Sequence, residues 1–174
     1  DNMRTLQFIA KPEKRTMIAR ETLDIYVPLA NLLGIGEIRA ELEDLCFRYL
    51  FPEEHEKLKK EIDEHIEERN FVLDEMIHLT EKELTKNKME AEIIGRPKTL
   101  YSIFKKLEIK QQIKNIDDII AIRIIVASKK ECYQTLGIIH RLFKPMMGKI
   151  KDYIAVPKQN GYQSLHTTVL GING

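Results

Sequence analysis

The spacing of apolar residues along the chain changes once, near Lys88. Residues 12–50 carry apolar side chains at helical intervals: KPEKRTMIARETLDIYVPLANLLGI, interrupted at Pro28, is followed by IRAELEDLCFRYL with the same period, and Pro52 ends the run. EEHEKLKKEIDEHIEERNFVLDEMIHLTEKEL comes next, with Leu58, Ile62, Ile66, Leu73, Ile77 and Leu84 in one narrow stripe. Its acidic first turn suits the positive end of a helix. Glu53–Lys57 and Glu56–Lys60 are i,i+4 pairs in the favourable order. The pattern predicts a long amphipathic helix, broken near Asn70, whose charges form a solvated face.

Beyond Lys88 the period shortens. MEAEIIG reads as a strand and RPKTLYSIFKKLEIK as a helix. IIAIRIIVAS reads as a β-branched, largely buried strand, and KKECYQTLGIIHRLFK as a second helix. GKIKDYIAVPK and YQSLHTTVLG are two more strands joined by the turn signal Gln-Asn-Gly. The expected fold class is α+β: all-α helices over residues 1–88, then a mixed-sheet α/β unit over residues 89–174. The chain closes on GING, a turn signal with no strand after it, and opens as abruptly; both ends read as cuts inside a domain.

Composition adds little to this: 43% hydrophobic and 32% charged are ordinary for a globular protein. No run of eighteen apolar residues exists, and DNMRTL does not open a signal peptide, so a cytoplasmic protein without membrane contact is expected. Cys46 and Cys132 match no metal spacing and read as buried thiols. Charge does change the picture. From Gly95 onward fourteen Lys/Arg face five Asp/Glu, a net of +9, whereas residues 1–94 carry fourteen bases against twenty-two acids, a net of −8. The basic half would attract an anion, either a nucleotide or nucleic acid.

Three constellations could carry chemistry. In GRPKTLYSIFKK, Pro97 suits the first position of a helix. Lys98, Ser102 and Lys106 would then share one face, with Leu100, Ile103, Phe104 and Leu107 packed inward. Arg96 and Lys98 beside the open N–H groups of the helix start would make a polyphosphate site; the plainer reading is an amphipathic helix with surface lysines. Asp118, after Asp117, sits at the entry to IIAIRIIV, where one carboxylate plus substrate phosphates could hold magnesium or simply end a turn. Arg123 on that strand would need a partner if buried. The third constellation is GKIKDYIAVPKQNGYQSLHTTV. Strand alternation would put Lys149, Lys151 and Tyr153 on one face. Lys158, Asn160 and Tyr162 alternate around a turn that lets backbone approach a ligand. Tyrosine offers a flat face for a base, and Asn160 both a donor and an acceptor. His166 could contact phosphate or be satisfied in place. These residues fit a purine nucleotide. They also fit a basic sheet binding single-stranded RNA, or a regulatory module without catalysis.

GRPKTLYSIFKK, DIIAIRIIV and above all KDYIAVPKQNGYQSLHT resemble the synthetase domain of the long RelA/SpoT homologues, which make and degrade the alarmone (p)ppGpp. DNMRTL and ETLDIYVPLANLLGI resemble the last helices of the HD-type hydrolase domain that precedes it. The resemblance implies a nucleotidyltransferase-like domain that transfers pyrophosphate from ATP to the 3′-hydroxyl of GDP or GTP, with magnesium. It implies that Arg96, Lys98, Ser102, Lys106 and Arg123 hold ATP, with Arg96, Lys98 and Asp118 catalytic and Asp118 the metal ligand. Lys151, Lys158, Asn160, Tyr162 and His166 would surround the acceptor, with Tyr162 stacked on guanine. Asn2 and Thr5 match nucleotide-contacting positions of the hydrolase. The family's second catalytic carboxylate and the hydrolase's manganese site have no counterpart in this sequence, so the chain alone is expected to be inactive or nearly so in both directions. Ribosome or tRNA contacts would run only through regions absent here. KIKD, Lys149 to Asp152, is similar to the basic form found in bifunctional members, with Lys149 where arginine is usual.

Overall fold

The computed structural model describes residues 3–110 and 120–171. Contacts divide the chain into two compact units, one from the described residues of Asp1–Glu64 and Thr99–Ile116, the other from those of His65–Lys98 and Asp117–Gly174. The fold class is α+β, as expected.

The first unit is helical. A single turn, Leu6–Phe8, leads to α1 (Pro12–Glu21), α2 (Val27–Leu32), α3 (Gly36–Leu50) and α4 (Pro52–Asp63), and α6 (Leu100–Lys110) joins them. Between α1 and α2 the helix widens over Thr22–Tyr26, and the Val27 N–H reaches the Thr22 carbonyl five residues back. The proline ring at Pro28 would collide with the carbonyl four residues before it, and the widened turn relieves this without ending the helix. Met3, Leu6, Ala19 and Cys46 form a buried cluster against which Leu42, Leu45 and Tyr49 pack. A second core is aromatic: Phe47 on α3 stacks on Phe104 of α6 at 4.7 Å, with Phe51 and Tyr101 around them. Ile103 is fully buried, so the inward face predicted for α6 is the one observed.

The second unit holds α5 (Ile66–Lys86), β1 (Glu92–Pro97), β2 (Ile120–Ile125), α7 (Lys129–Leu142), β3 (Lys151–Asp152) and β4 (Leu165–His166). β1 pairs antiparallel with β2, with Arg96 opposite Ala121 and Ile94 opposite Arg123. β3 pairs antiparallel with β4. Both strand pairs among the described residues are therefore antiparallel, where the sequence predicts a mixed sheet. Parallel pairing needs a crossover helix lying on the sheet. The helix between β1 and β2 packs instead on α3 and α4, and β2 returns beside β1.

The long helix breaks at Glu64–His65 rather than near Asn70. The apolar stripe changes partners there: Leu58 is buried in the first unit, whereas Leu73 and Ile77 lie under Gly95 of β1 in the second. Asn70 sits inside α5, its weak propensity outweighed by the helix formers around it. β2 is not buried on both sides. Its exposure alternates, with Ile120, Ile122 and Ile124 half-buried and Ala121, Arg123 and Ile125 exposed. One face is covered by α5 and the other is open, which is the arrangement that alternation reports in an antiparallel pair.

Candidate functional site

β1 and β2 put two of the predicted side chains on one surface. Pairing places Arg96 and Arg123 on the same open face, opposite the face that Gly95 presses against Leu73 and Ile77. Arg123 is exposed and needs no buried partner. Pro97 ends β1 instead of starting a helix. The helix begins at Leu100, and the Thr99 hydroxyl accepts from the Ser102 N–H at 3.4 Å. Lys98 therefore precedes the helix and does not share a face with Ser102 and Lys106, which remain one turn apart on α6 in the first unit. Nor is the helix start open to phosphate: Asp44 of α3 accepts from the Tyr101 N–H at 2.8 Å and also from Leu100. The Ser102 hydroxyl accepts from that of Thr99 at 2.7 Å.

The stretch predicted as two long strands is a ribbon broken twice. Met146 and Leu170 donate to Thr168 and Lys144 at its base, with Pro145 bridged to Val169. Lys151 then faces His166 and Asp152 faces Leu165. Between these points the first arm advances from Met146 to Lys151 while the second moves only from Thr168 to His166, so three residues are extruded from the first arm. The same happens again between Tyr153, which donates to Ser164, and Lys158, which donates to Tyr162. The first bulge uses Gly148, at φ +71°. The second follows Asp152, whose Oδ1 accepts from the N–H groups of Ile154 and Ala155 at 2.9 and 2.8 Å. Alternation along the first arm therefore fails. Lys149 lies in the first bulge, and bulges of this kind cluster beside functional sites, where they re-aim side chains.

The bulges bring three rings and a lysine together. Tyr153, Tyr162 and His166 meet edge-on, with centroid separations of 5.3 to 6.3 Å. The Tyr162 hydroxyl lies 3.0 Å from His166 Nε2. The Lys158 ammonium stands 4.7 Å from the centroid of Tyr153 and 5.2 Å from that of Tyr162, a cation over two π faces. The turn between is tight: Gly161, at φ +75°, donates to the Lys158 carbonyl, and Asn160 Oδ1 accepts from the Tyr162 N–H at 3.2 Å.

The electrostatics of this cluster join it to the β1–β2 face. His166 keeps one edge in solvent, but its packing against the tyrosines strips water from the ring, and this desolvation holds its pKa below the ordinary value. The charges of Lys158, Lys151, Arg96 and Arg123 push it the same way. Four predicted residues thus act on a fifth, His166, in a single unit, and Tyr162 touches His166 and lies under Lys158. A neutral His166 whose Nε2 accepts from Tyr162 carries its proton on Nδ1.

Other predicted positions lie apart. Asp118 and Asn2 fall outside the described residues. Thr5 belongs to the first unit, where its carbonyl accepts from the Phe8 N–H. Among the described residues no group of three or more His, Cys, Asp or Glu side chains is placed to hold a metal ion. Both oxygens of Asp152 are occupied, Oδ2 by the Tyr133 hydroxyl at 2.9 Å. Cys46 is buried and Cys132 half-buried, both as free thiols. Sequence reading missed Tyr153 as a member of the ring cluster, although its spacing from Lys151 was visible, and missed Tyr133, which has no local signal. Among the described residues no helix is long and apolar enough to cross a membrane.

A family described as "Region found in RelA / SpoT proteins" matches residues 95–174, the stretch that contains the ring cluster. Relatives extend over the whole chain. It is 48% identical to a guanosine-3′,5′-bis(diphosphate) 3′-pyrophosphohydrolase of Aquifex aeolicus, over 100% of this chain and 25% of that protein. It is 46% identical to a GTP pyrophosphokinase of Myxococcus xanthus, over 98% of this chain and 22% of the other. It is 44% identical to the bifunctional (p)ppGpp synthase/hydrolase SpoT of Escherichia coli, over 99% and 25%. The chain belongs to the RelA/SpoT family. It spans about a quarter of the length of these relatives.

Proposed function

We propose that the chain carries the acceptor-nucleotide site of a (p)ppGpp synthetase, a cytoplasmic enzyme that transfers pyrophosphate from ATP to the 3′-hydroxyl of GDP or GTP. The observation that carries this reading is the cluster of Tyr153, Tyr162 and His166 under Lys158. An RNA platform would space its aromatics along a sheet face for successive bases; here the rings converge on one point, which suits a single base. The relatives' names, pyrophosphokinase and synthase/hydrolase, support the same chemistry.

In this reading guanine stacks on Tyr162, taking the face where the Lys158 ammonium now stands, and Lys158 turns to the diphosphate. Lys151 adds charge on the same side. Asn160 reads the base edge or the ribose. Arg96, Lys98 and Arg123 are assigned to the ATP phosphates. Phosphoryl-type transfer of this kind asks little covalent chemistry of the protein; alignment of the attacking hydroxyl and neutralisation of charge supply most of the acceleration. Magnesium, which Asp118 would ligate, supplies part of that neutralisation in the loaded enzyme. Asn2 and Thr5 are assigned to the hydrolase's nucleotide contacts.

The test is GDP binding by calorimetry, with and without magnesium, for the chain and for Tyr162→Ala. Stacking contributes about 1–3 kcal/mol per base, so the variant should bind roughly 5- to 150-fold more weakly. Equal binding by both proteins would remove Tyr162 from the site.

A further inference from the structure

Helix α7 touches both arms of the broken ribbon. From it, the Tyr133 hydroxyl donates to Asp152 Oδ2 at 2.9 Å on the first arm. Two turns further along, His140 Nε2 lies 2.8 Å from the Thr167 hydroxyl on the second arm, next to His166. Positions seven apart fall on one helix face, so a single face of α7 reaches both arms. The helix is well anchored for this. Ser128 and Glu131 close a reciprocal capping box at its start, and Ile138 and Phe143 are buried.

The first contact falls at a decisive place. Asp152 accepts three hydrogen bonds, two from the backbone of the second bulge and one from Tyr133. Those bonds, with the Ala155 N–H foremost, hold its carboxyl below the usual carboxylate range. Two of its three partners are N–H groups of its own bulge, which is a structural arrangement. The carboxylate's work is to fold the chain at Ile154 and Ala155, which returns Lys158 over the rings of Tyr153 and Tyr162. The second contact fixes the residue beside His166. The ribbon's continuous pairing is two residues on each arm, with separate backbone bonds at its base and beyond Asp152, so the two contacts add side-chain anchors on either side of the bulges.

We propose that α7 braces the ribbon at these two points, and that Tyr133 and His140 are positioning residues that set Lys158, Tyr162 and His166 for the guanine nucleotide. The inference rests on the acceptor-site reading above. Both residues act through another group, Asp152 and Thr167, and neither touches the ligand.

Two mild variants test it, Tyr133→Phe, which keeps the ring, and Thr167→Val, which keeps the shape. Each is examined in the full chain by thermal unfolding, by NMR titration of the His166 ring without nucleotide, and by GDP calorimetry. The expected result is a His166 midpoint that moves up toward the ordinary histidine value in each variant. GDP binding should weaken about 3- to 10-fold for each, the size of one lost hydrogen bond. A merely structural role would lower the unfolding temperature while leaving the His166 midpoint and GDP affinity in place, and that result overturns the proposal. A moved midpoint with no GDP binding by the unaltered chain overturns the acceptor-site reading and leaves the brace standing. The two variants act at separate points, so failure of one to fold leaves the other decisive.

Discussion

Asp44 on α3 accepts a hydrogen bond from the backbone N–H of Tyr101 on α6, at 2.8 Å and across 57 residues of sequence. A carboxylate from one helix thus caps the first turn of another, alongside the local Thr99, whose hydroxyl accepts from the Ser102 N–H at 3.4 Å. Burial raises the carboxyl's pKa above its ordinary value, and the Tyr101 and Leu100 amides offset part of that. The helix that carries Ser102 and Lys106 is therefore tied to α3 by its end as well as by Phe47 and Phe104.

Asp44→Ala should cost about 1 kcal/mol, the usual loss for a removed cap. Asp44→Asn should cost less, because its amide oxygen still accepts. Urea unfolding of the three proteins measures this; identical midpoints would show that water caps the helix as well as Asp44 does.

Two glycines should respond differently to alanine. Gly161 is held at φ +75° with nothing near its missing side chain, so Gly161→Ala is strained by its backbone alone, at about 1 kcal/mol. Because that strain falls between Lys158 and Tyr162, GDP affinity should drop along with stability. At Gly95 the added carbon would meet Leu73 Cδ2 at 2.9 Å and Ile77 Cδ1 at 3.3 Å. Leu73 can move its tip, so Gly95→Ala should cost about 1 kcal/mol or slightly more, with a smaller effect on GDP affinity. Paired thermal and calorimetric measurements separate the two; a Gly161→Ala protein that binds GDP like its parent would contradict the turn's role.

His166 makes stability depend on pH in a defined direction. Its folded pKa lies below the ordinary value of about 6.5. The unfolded chain therefore takes up a proton at higher pH than the folded one. The group's contribution is present above about pH 6.5 and is lost as pH falls through the lowered folded value. His166→Gln should flatten the stability profile in that window. Unfolding curves collected from pH 7.5 down to pH 5 check it, and parallel profiles for the two proteins would refute it.

The two thiols should differ in reactivity. Burial, with the nearby charges of Glu43 and Asp24, pushes the Cys46 thiol up to about 12. Thiolate is the reactive form, so a disulfide reagent at neutral pH should label Cys132 in the folded protein and Cys46 only on unfolding. Equal labelling rates for both would mean that the first unit opens readily.

The elements near the strongest local signals were legible in advance. Pro52 marks the stop after α3, and the Asn-Gly turn is at Gly161. Side-chain chemistry within four or five residues decides such features. The grouping of Lys151, Lys158, Tyr162 and His166 was legible for a related reason: the two arms are joined by a short turn, so residues near in sequence stay near in space. The limits of the strands were not. Asp152 competes for the backbone N–H groups of Ile154 and Ala155 and extrudes residues that alternation would have paired.

What the sequence determined by itself is the class of fold, the basic half, and the residue types gathered around one turn, because these follow from periodicity, composition and local hydrogen bonding. The tertiary structure alone decided that the helix after β1 packs on α3 and α4, that Asp44 takes its end, and that α7 reaches both arms through Tyr133 and His140. Those outcomes depend on which surfaces meet across tens of residues, and the free energy that selects them is the burial of whole faces, such as Phe47 against Phe104, which no short window of sequence contains.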